Sequence, residues 1–315
     1  MTKADNKRPV YIVDGARTPF LRARGRPGQF AAADLALQSA QPLMLRQTFS
    51  AEELDEVILG CVMSAADEAN IARVVSLRLG CGDQVPAWTV QRNCGSGLQA
   101  VDTAFRHIAN GYSDMVLAGG VEAMSQAPVM LNRQMVDWLS DLNQAKGLGK
   151  KLSVLTKLRP GHLKPVIALL LGLTDPVVGL SMGRTAEILA SRFGISREEM
   201  DAFAVSSHQR LAAAHAEGRL DEIEVIYDQN GKSYSADDGV RPDSSMEALA
   251  KLKPVFDRPH GLVTAGNSAQ VTDGAAWLLL ASETAIEQHQ LTPLGRIVDC
   301  EWAGLSPEQM GLGPV

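Results

Sequence analysis

Residues 89–105, TVQRNCGSGLQAVDTAF, set Cys94 between a β-rich segment and an amphipathic one, with glycines at positions 95 and 97. A strand that turns tightly into a helix leaves its turn residue beside the unpaired N–H groups of the helix start, where negative charge is favoured. A thiol whose ordinary pKa is about 8.5 falls to roughly 3.5–7.5 in such places. Gly95 and Gly97 leave room for a substrate carbonyl to approach the backbone. That is the pattern of an activated nucleophile. A free cysteine that only fills a small apolar site has the same residue type, and the residues alone leave both readings open.

Composition narrows the class. Cys61, Cys81, Cys94 and Cys300 form no CxxC pair and no Cys/His cluster with zinc-like spacing, so no metal site is expected. The 315 residues are 45% hydrophobic and 21% charged, enough for about two domains with a sizeable core. The net charge of −6 gives no global basic excess for nucleic acid. MTKADNKRPVYIV has no long apolar stretch behind its charges, so no secretory signal is expected. The longest nearly continuous apolar run, 166–173, falls far short of the roughly 20 residues a membrane helix needs. The expectation is a soluble cytoplasmic protein with free thiols.

The elements that must position Cys94 belong to an alternating pattern. RPVYIVDG, LDEVILGCV, VPAWTVQR and DMVLAGG read as strands. Between them, AAADLALQSAQPLMLRQ is helical but carries Pro42, which is expected to kink or break it. NIARVVSLRLG is expected to end at Gly80. From about Ser96 to Asn110, Leu98, Val101, Phe105 and Ile108 recur at helical steps and predict a buried stripe. The alternation implies a layered α/β domain with largely parallel strands.

The middle changes character. Residues 131–180 show no clean strand pattern. No acidic residue lies between Asp141 and Asp175, where Lys146, Lys150, Lys151, Lys157, Arg159 and Lys164 fall. Such a stretch can attract an anionic substrate by its field. It can lie on a membrane surface or a partner, with Leu158, Leu163 and residues 166–173 as the apolar side. It can also be a solvated loop over a small core. Ser196 and Glu199 then make a capping-box pair. Met200, Phe203, Ser207, Leu211 and Ala214 predict the apolar face of the helix they open, with His208 and His215 on its solvated side. EIEVIYDQNGKSYSADD predicts a hairpin about Asn-Gly. Residues 262–281 return to strand or buried-helix character, and LGRIVDCEWAGL starts another strand.

In order, VDGARTPF (13–20), NCGSG (93–97), AGGVEAMSQAP (118–128), MGRTAE (182–187), SREEMDAFAVSSHQR (196–210), ALAKLKPVFD (248–257) and VTAGNSAQVTDGAA (263–276) resemble the thiolases, which cleave or form 3-ketoacyl-CoA. LTKLRPGHLKPV ahead of GLSMGRTAE further resembles the branch that includes the β subunit of a trifunctional β-oxidation complex. The resemblance implies an α/β protein with a thiolase-like layered α/β/α fold and a largely parallel mixed sheet. It implies an N-terminal α/β domain over 1–130, completed by about 255–280. A CoA-binding loop domain covers 131–254, and the start of a C-terminal domain, mostly absent, covers 281–315.

The same resemblance implies that Cys94 carries an acyl group, with coenzyme A as co-substrate and no permanently bound cofactor. The Cys94 backbone N–H becomes a candidate donor to an oxyanion. Family positions for the pantetheine and adenine ends of CoA fall on Ser181, Met182, Arg241, Val255, Phe256 and Ala265. Met182 and Phe256 would serve equally as plain core. Many members read AGNAS where this chain reads AGNSA, so Ala269 stands at the pantetheine-contacting serine and Ser268 beside it. The family's [NH]EAF loop, GHP histidine and late CxGxG-like cysteine follow its GLGP position. Here that position is followed only by Val315. None of His107, His162, His208, His215, His260 and His289 stands in a matching context. A truncated thiolase with little turnover of its own is therefore expected. Cys61, Cys81 and Cys300 are expected in the core or in strands. The implied partners are acyl-CoA and CoA, further copies of the chain in a homo-oligomer, and a β-oxidation partner subunit; no nucleic acid is expected. A different condensing enzyme of the superfamily and a non-catalytic acyl-CoA-binding or interaction remnant are the alternatives.

Overall fold

The computed structural model describes residues 7–315. The chain begins with β1 (Val10–Arg17), β2 (Leu21–Arg22), α1 (Ala32–Leu45), β3 (Glu56–Gly60), α2 (Ile71–Leu79), β4 (Ala87–Val90), α3 (Ser96–Ala109) and β5 (Met115–Ala123). A middle part follows with β6 (Val129–Met130), α4 (Arg133–Gln144), α5 (Leu148–Leu155), β7 (Val166–Ile167) and α6 (Ala168–Gly172). It continues through α7 (Met182–Phe193), α8 (Arg197–Ala216), β8 (Ile226–Tyr227), β9 (Ser233–Tyr234) and α9 (Met246–Ala250). β10 (Thr272–Ser282), α10 (Glu283–His289) and β11 (Gly295–Ile297) then rejoin the first part.

Seven strands form one sheet in the order β11-β1-β10-β5-β3-β4, with β2 beside β10. Alternate residues of its strands face opposite layers. Val57, Leu59, Leu117 and Leu279 pack with Leu35 and Leu43 of α1 and Ile71 and Val75 of α2. Ile58, Val116, Ala118 and Leu280 face the other way, onto Ala100, Ala104 and Ile108 of α3. Trp277 is fully buried and donates its indole N–H to Ala36 O at 2.9 Å. The result is the expected α/β layering.

The parallel share of the sheet is smaller than expected. Only β3 runs parallel to its neighbours, β4 and β5. β10 runs antiparallel to β5 and β1, and β11 antiparallel to β1. Local residue patterns carry no strand direction; β10 returns from the long middle part and lies against β5 head to tail.

Three helices also differ from expectation. α1 continues through Pro42 without a break. In α3 Ile108 is buried and Val101 and Phe105 pack against the core as expected, but Leu98 is exposed, and Ser96, Ala100, Asp102, Ala104 and Ala109 are buried beside them. Small residues begin the helix because its first turn packs on Gly60 of β3 and Gly120 of β5, where a leucine would hold it off. In α8 the buried side chains are Asp201 and Val205, and Phe203 is exposed. The Ser196–Glu199 capping box is present as expected, as are the Gly80 stop of α2 and the β8–β9 hairpin.

No residue of 131–180 is buried. This segment is held by hydrogen bonds. Asn132 Nδ2 donates to Gly161 O and Lys164 O, and Trp138 Nε1 donates to Val154 O. Among the described residues no helix is long and apolar enough to cross a membrane.

Candidate functional site

β3, β4 and β5 end side by side, with Gly60 paired to Val90 on one flank and to Gly120 on the other. The Cys94 loop leaves from this end. Gly60 lies directly against the Ser96–Gly97 peptide. A Cβ on Gly120 would stand 3.0 Å from Gly97 Cα. Glycine at all three positions lets the first turn of α3 rest on the sheet itself.

The loop is tied tightly. Gly95 N–H donates to Arg92 O at 3.0 Å and Ser96 N–H to Asn93 O at 3.1 Å. The buried Ser96 hydroxyl accepts from Arg92 N–H at 2.7 Å and donates to Asn93 O at 2.7 Å. Asn93 has φ 45°, a left-handed conformation that asparagine tolerates better than most residues. Cys94 is thereby presented to solvent, one residue ahead of Gly95, the N-cap of α3. Among the described residues, no hydrogen bond uses the Cys94 N–H.

Cys61, Cys81 and Cys300 are held in the protonated form. Burial, with the nearby Glu122 carboxylate, pushes Cys61 up to about 12. Burial also raises Cys81. Cys300 is raised by burial and by the Asp102 carboxylate. Cys61 and Cys81 are buried as expected; Cys300 lies half-buried in the loop after β11 instead of in core or strand.

A second cluster gathers the positions assigned to CoA. Ser181 caps α7, accepting from Arg184 N–H, and Met182 opens the helix. Phe256 packs its ring directly on Gly183. Val255 N–H donates to Val263 O at 2.9 Å, and Glu187 of α7 accepts from Leu262 N–H and Val263 N–H at 2.9 Å each. Asn267 braces the next turn: its Nδ2 donates to Asp201 Oδ1 and its Oδ1 accepts from Thr264 N–H. Ala265 and Ser268 are exposed on this loop, and the Ser268 hydroxyl turns back onto Thr264 O at 2.6 Å. Arg241 is exposed and joins through its N–H, which His208 Nδ1 accepts at 3.3 Å. A cleft of about 370 Å³ runs along α7 between Leu180, Arg184, Ile188 and Asp257.

The loop that follows the second cluster enters the sheet at the end from which the Cys94 loop leaves. Thr272 and Asp273 begin β10, and Asp273 lies opposite Ala123, where β5 ends. The loop over 263–271 therefore arrives where the Cys94 loop departs. Sequence reasoning singled out Ser181, Met182, Val255 and Phe256, which lie around the start of α7 and the strand-like pairing of Val255 with Val263, but not Glu187 and Asn267, which hold the adjoining loop. Both stand inside the quoted motifs MGRTAE and VTAGNSA, so the signal was there.

Two of the histidines lie beside carboxylates. His107 Nδ1 lies 2.7 Å from Glu56 Oε2, and His215 Nε2 lies 3.6 Å from Asp237 Oδ2. His208 and His215 thus face inward contacts instead of the solvated side expected for them. Among the described residues, no histidine is hydrogen-bonded to Cys94 and no cluster of His, Cys, Asp or Glu could hold a metal ion.

Comparison with known proteins adds one family match, two relatives and one solved structure. A family model described as "Thiolase, N-terminal domain" matches residues 10–284. The chain is 38% identical over 311 residues to the mitochondrial trifunctional enzyme subunit beta of Rattus norvegicus, covering 98% of this chain and 64% of that one. It is 38% identical over 314 residues to the beta-ketoadipyl-CoA thiolase of Pseudomonas knackmussii, covering 98% and 74%. The crystal structure of human mitochondrial 3-ketoacyl-CoA thiolase in complex with CoA superposes with a TM-score of 0.84 at 37% identity, over 97% of this chain and 73% of that one. The chain spans 64–65% of the length of the trifunctional-enzyme subunits it matches.

Proposed function

We propose, for a chain that belongs to the thiolase family, a thiolase-type acyl transfer in which Cys94 carries the acyl group. The substrate is a 3-ketoacyl-CoA and the setting is fatty acid β-oxidation. The observation that carries the reading is the exposed Cys94 on a tightly braced loop, at the end of the sheet entered by the loop that follows the cluster around Ser181 and Phe256.

In this reading the Cys94 thiolate attacks the 3-keto carbon, and the carbonyl electrons move to oxygen. The unused N–H of Cys94 is one donor to that oxyanion. Collapse breaks the bond between C2 and C3. The acyl group stays on sulfur, and the electron pair leaves on C2 as the enolate of acetyl-CoA, which takes up a proton. The thiol of a second CoA loses its proton and attacks the thioester, releasing the shortened acyl-CoA and the Cys94 thiolate. Two half-reactions through one covalent intermediate give ping-pong kinetics. Run backwards, the steps are a Claisen condensation.

Met182, Val255, Phe256 and Ala265 offer an apolar track for pantetheine, and Arg241 a cation for the adenine or phosphate end. Ser268 spends its hydroxyl hydrogen on Thr264 O, so it presents only an acceptor. β4 is one of the two edge strands of the sheet, and such an edge favours pairing with a second copy, which supports a homo-oligomer. The exposed apolar and basic side chains of 146–173 support contact with an anionic membrane surface or a β-oxidation partner. Mapping the acyl adduct by mass spectrometry after incubation with a 3-ketoacyl-CoA tests the central reading.

A further inference from the structure

The tail that follows β11 folds back over the Cys94 loop. The Trp302 ring lies on Gly95, where a Cβ would stand 3.5 Å from the Trp302 Cζ3. The Arg92 guanidinium stacks 4.0 Å from the centre of the same ring. Trp302 therefore touches the residue directly after Cys94 and the residue two before it. Its indole N–H donates to Asp102 Oδ2 at 2.9 Å. Asp102 is buried on α3, about two turns beyond Cys94, and accepts from Arg106 Nε at 2.9 Å and 3.0 Å. Arg106 also holds the tail, donating to Cys300 O at 3.2 Å.

We infer that Trp302, anchored on Asp102, is a positioning residue that clamps both flanks of Cys94 and fixes the direction of its thiol. The inference rests on the reading of Cys94 as acyl carrier. The physical need is plain. Asn93 stands in a sparsely populated conformation, which persists only where surroundings over-determine it. Ser96 braces the loop from beneath. A rigid aromatic ring stacked across Arg92 and Gly95 braces it from the tail side and leaves Cys94 open to solvent. The Arg92–Trp302 stack gains further from its cation–π character.

The test compares the parent chain with Trp302→Ala and Trp302→Phe by two readouts. The first is trypsin cleavage after Arg92, which reports loop order and needs no activity. The second is the rate of Cys94 acylation by a 3-ketoacyl-CoA, set against the affinity for CoA. Trp302→Ala should speed cleavage after Arg92 about tenfold and slow acylation about tenfold, a change of about 1.4 kcal/mol, with CoA affinity within about twofold. Trp302→Phe keeps the ring and should restore most of both. Parent-like cleavage and acylation in Trp302→Ala would overturn the clamp. Faster cleavage with no acylation of Cys94 even in the parent would uphold the clamp and remove the acyl-carrier reading.

Discussion

Gly60 and Ser96 are in direct backbone contact: the last residue of β3 lies against the first peptide of α3, with no space for a Cβ between them. The strand end and the Cys94 loop are thus one packed unit. Gly60→Ala must push α3 off the sheet. The expected cost is about 1–3 kcal/mol, read as a lower thermal midpoint, together with slower alkylation of Cys94. Gly149→Ala, in α5 where nothing lies within 4 Å, is the control: it should leave Cys94 alkylation unchanged and hold or slightly raise the midpoint, since alanine favours the helix. Equal midpoints for the two variants would contradict the packing described.

Acid should weaken the fold through its buried carboxylates. Burial works to raise Asp237, but hydrogen bonds and charge from Arg17, with the Phe20 N–H, hold it below the usual carboxylate range. Arg17 Nη1 lies 2.8 Å from Asp237 Oδ1, and both side chains are largely buried. A depressed folded-state pKa contributes stability that is present above the unfolded value of about 3.9 and lost as pH falls through the folded value. The thermal midpoint should therefore hold above about pH 5 and drop steeply below pH 4. Asp237→Asn should cost about 3 kcal/mol at neutral pH by leaving Arg17 without its main partner. It should also flatten the acid limb of the midpoint-versus-pH curve.

Phe256 links the start of α7 to the loop over 255–268 through its ring on Gly183. Phe256→Ala should weaken CoA binding roughly tenfold, about 1.4 kcal/mol, as measured by titration calorimetry. Unchanged affinity would remove this cluster from the CoA site.

The basic middle segment exposes Leu148, Leu152, Leu155, Leu163, Leu170 and Leu171 beside its lysines. Vesicles rich in anionic lipid should co-sediment the chain at about 0.15 M salt. Replacing both Lys150 and Lys151 by Glu should reduce the bound fraction at least several-fold, since each lysine near such a surface contributes about 1 kcal/mol. Protein recovered only in the supernatant would end the membrane reading.

What the sequence made legible was local. The turn at Asn93–Gly97 needs glycine where the backbone approaches the sheet, and the Ser196 cap and the Asn230–Gly231 hairpin follow from short-range hydrogen bonding. Buried faces were harder to read. Leu98 and Phe203 are large and apolar yet exposed, whereas Ala100, Ala104 and Asp201 are buried. Hydrophobicity alone points to the wrong side when a helix packs on glycines or spends its inner face on an ion pair such as Arg197–Asp201. Strand direction and the Trp302 contact were out of reach because each joins segments distant in the chain.

The central prediction is a covalent intermediate at one sulfur, that of Cys94. The direct measurement is peptide mass mapping after incubation with a 3-ketoacyl-CoA, in the parent chain and in Cys94→Ala. The prediction is a single acyl adduct on the peptide containing Cys94, absent from the alanine variant, with Cys61, Cys81 and Cys300 unmodified at neutral pH. An adduct that survives in Cys94→Ala, or a parent Cys94 that stays inert both to substrate and to iodoacetamide, would contradict it.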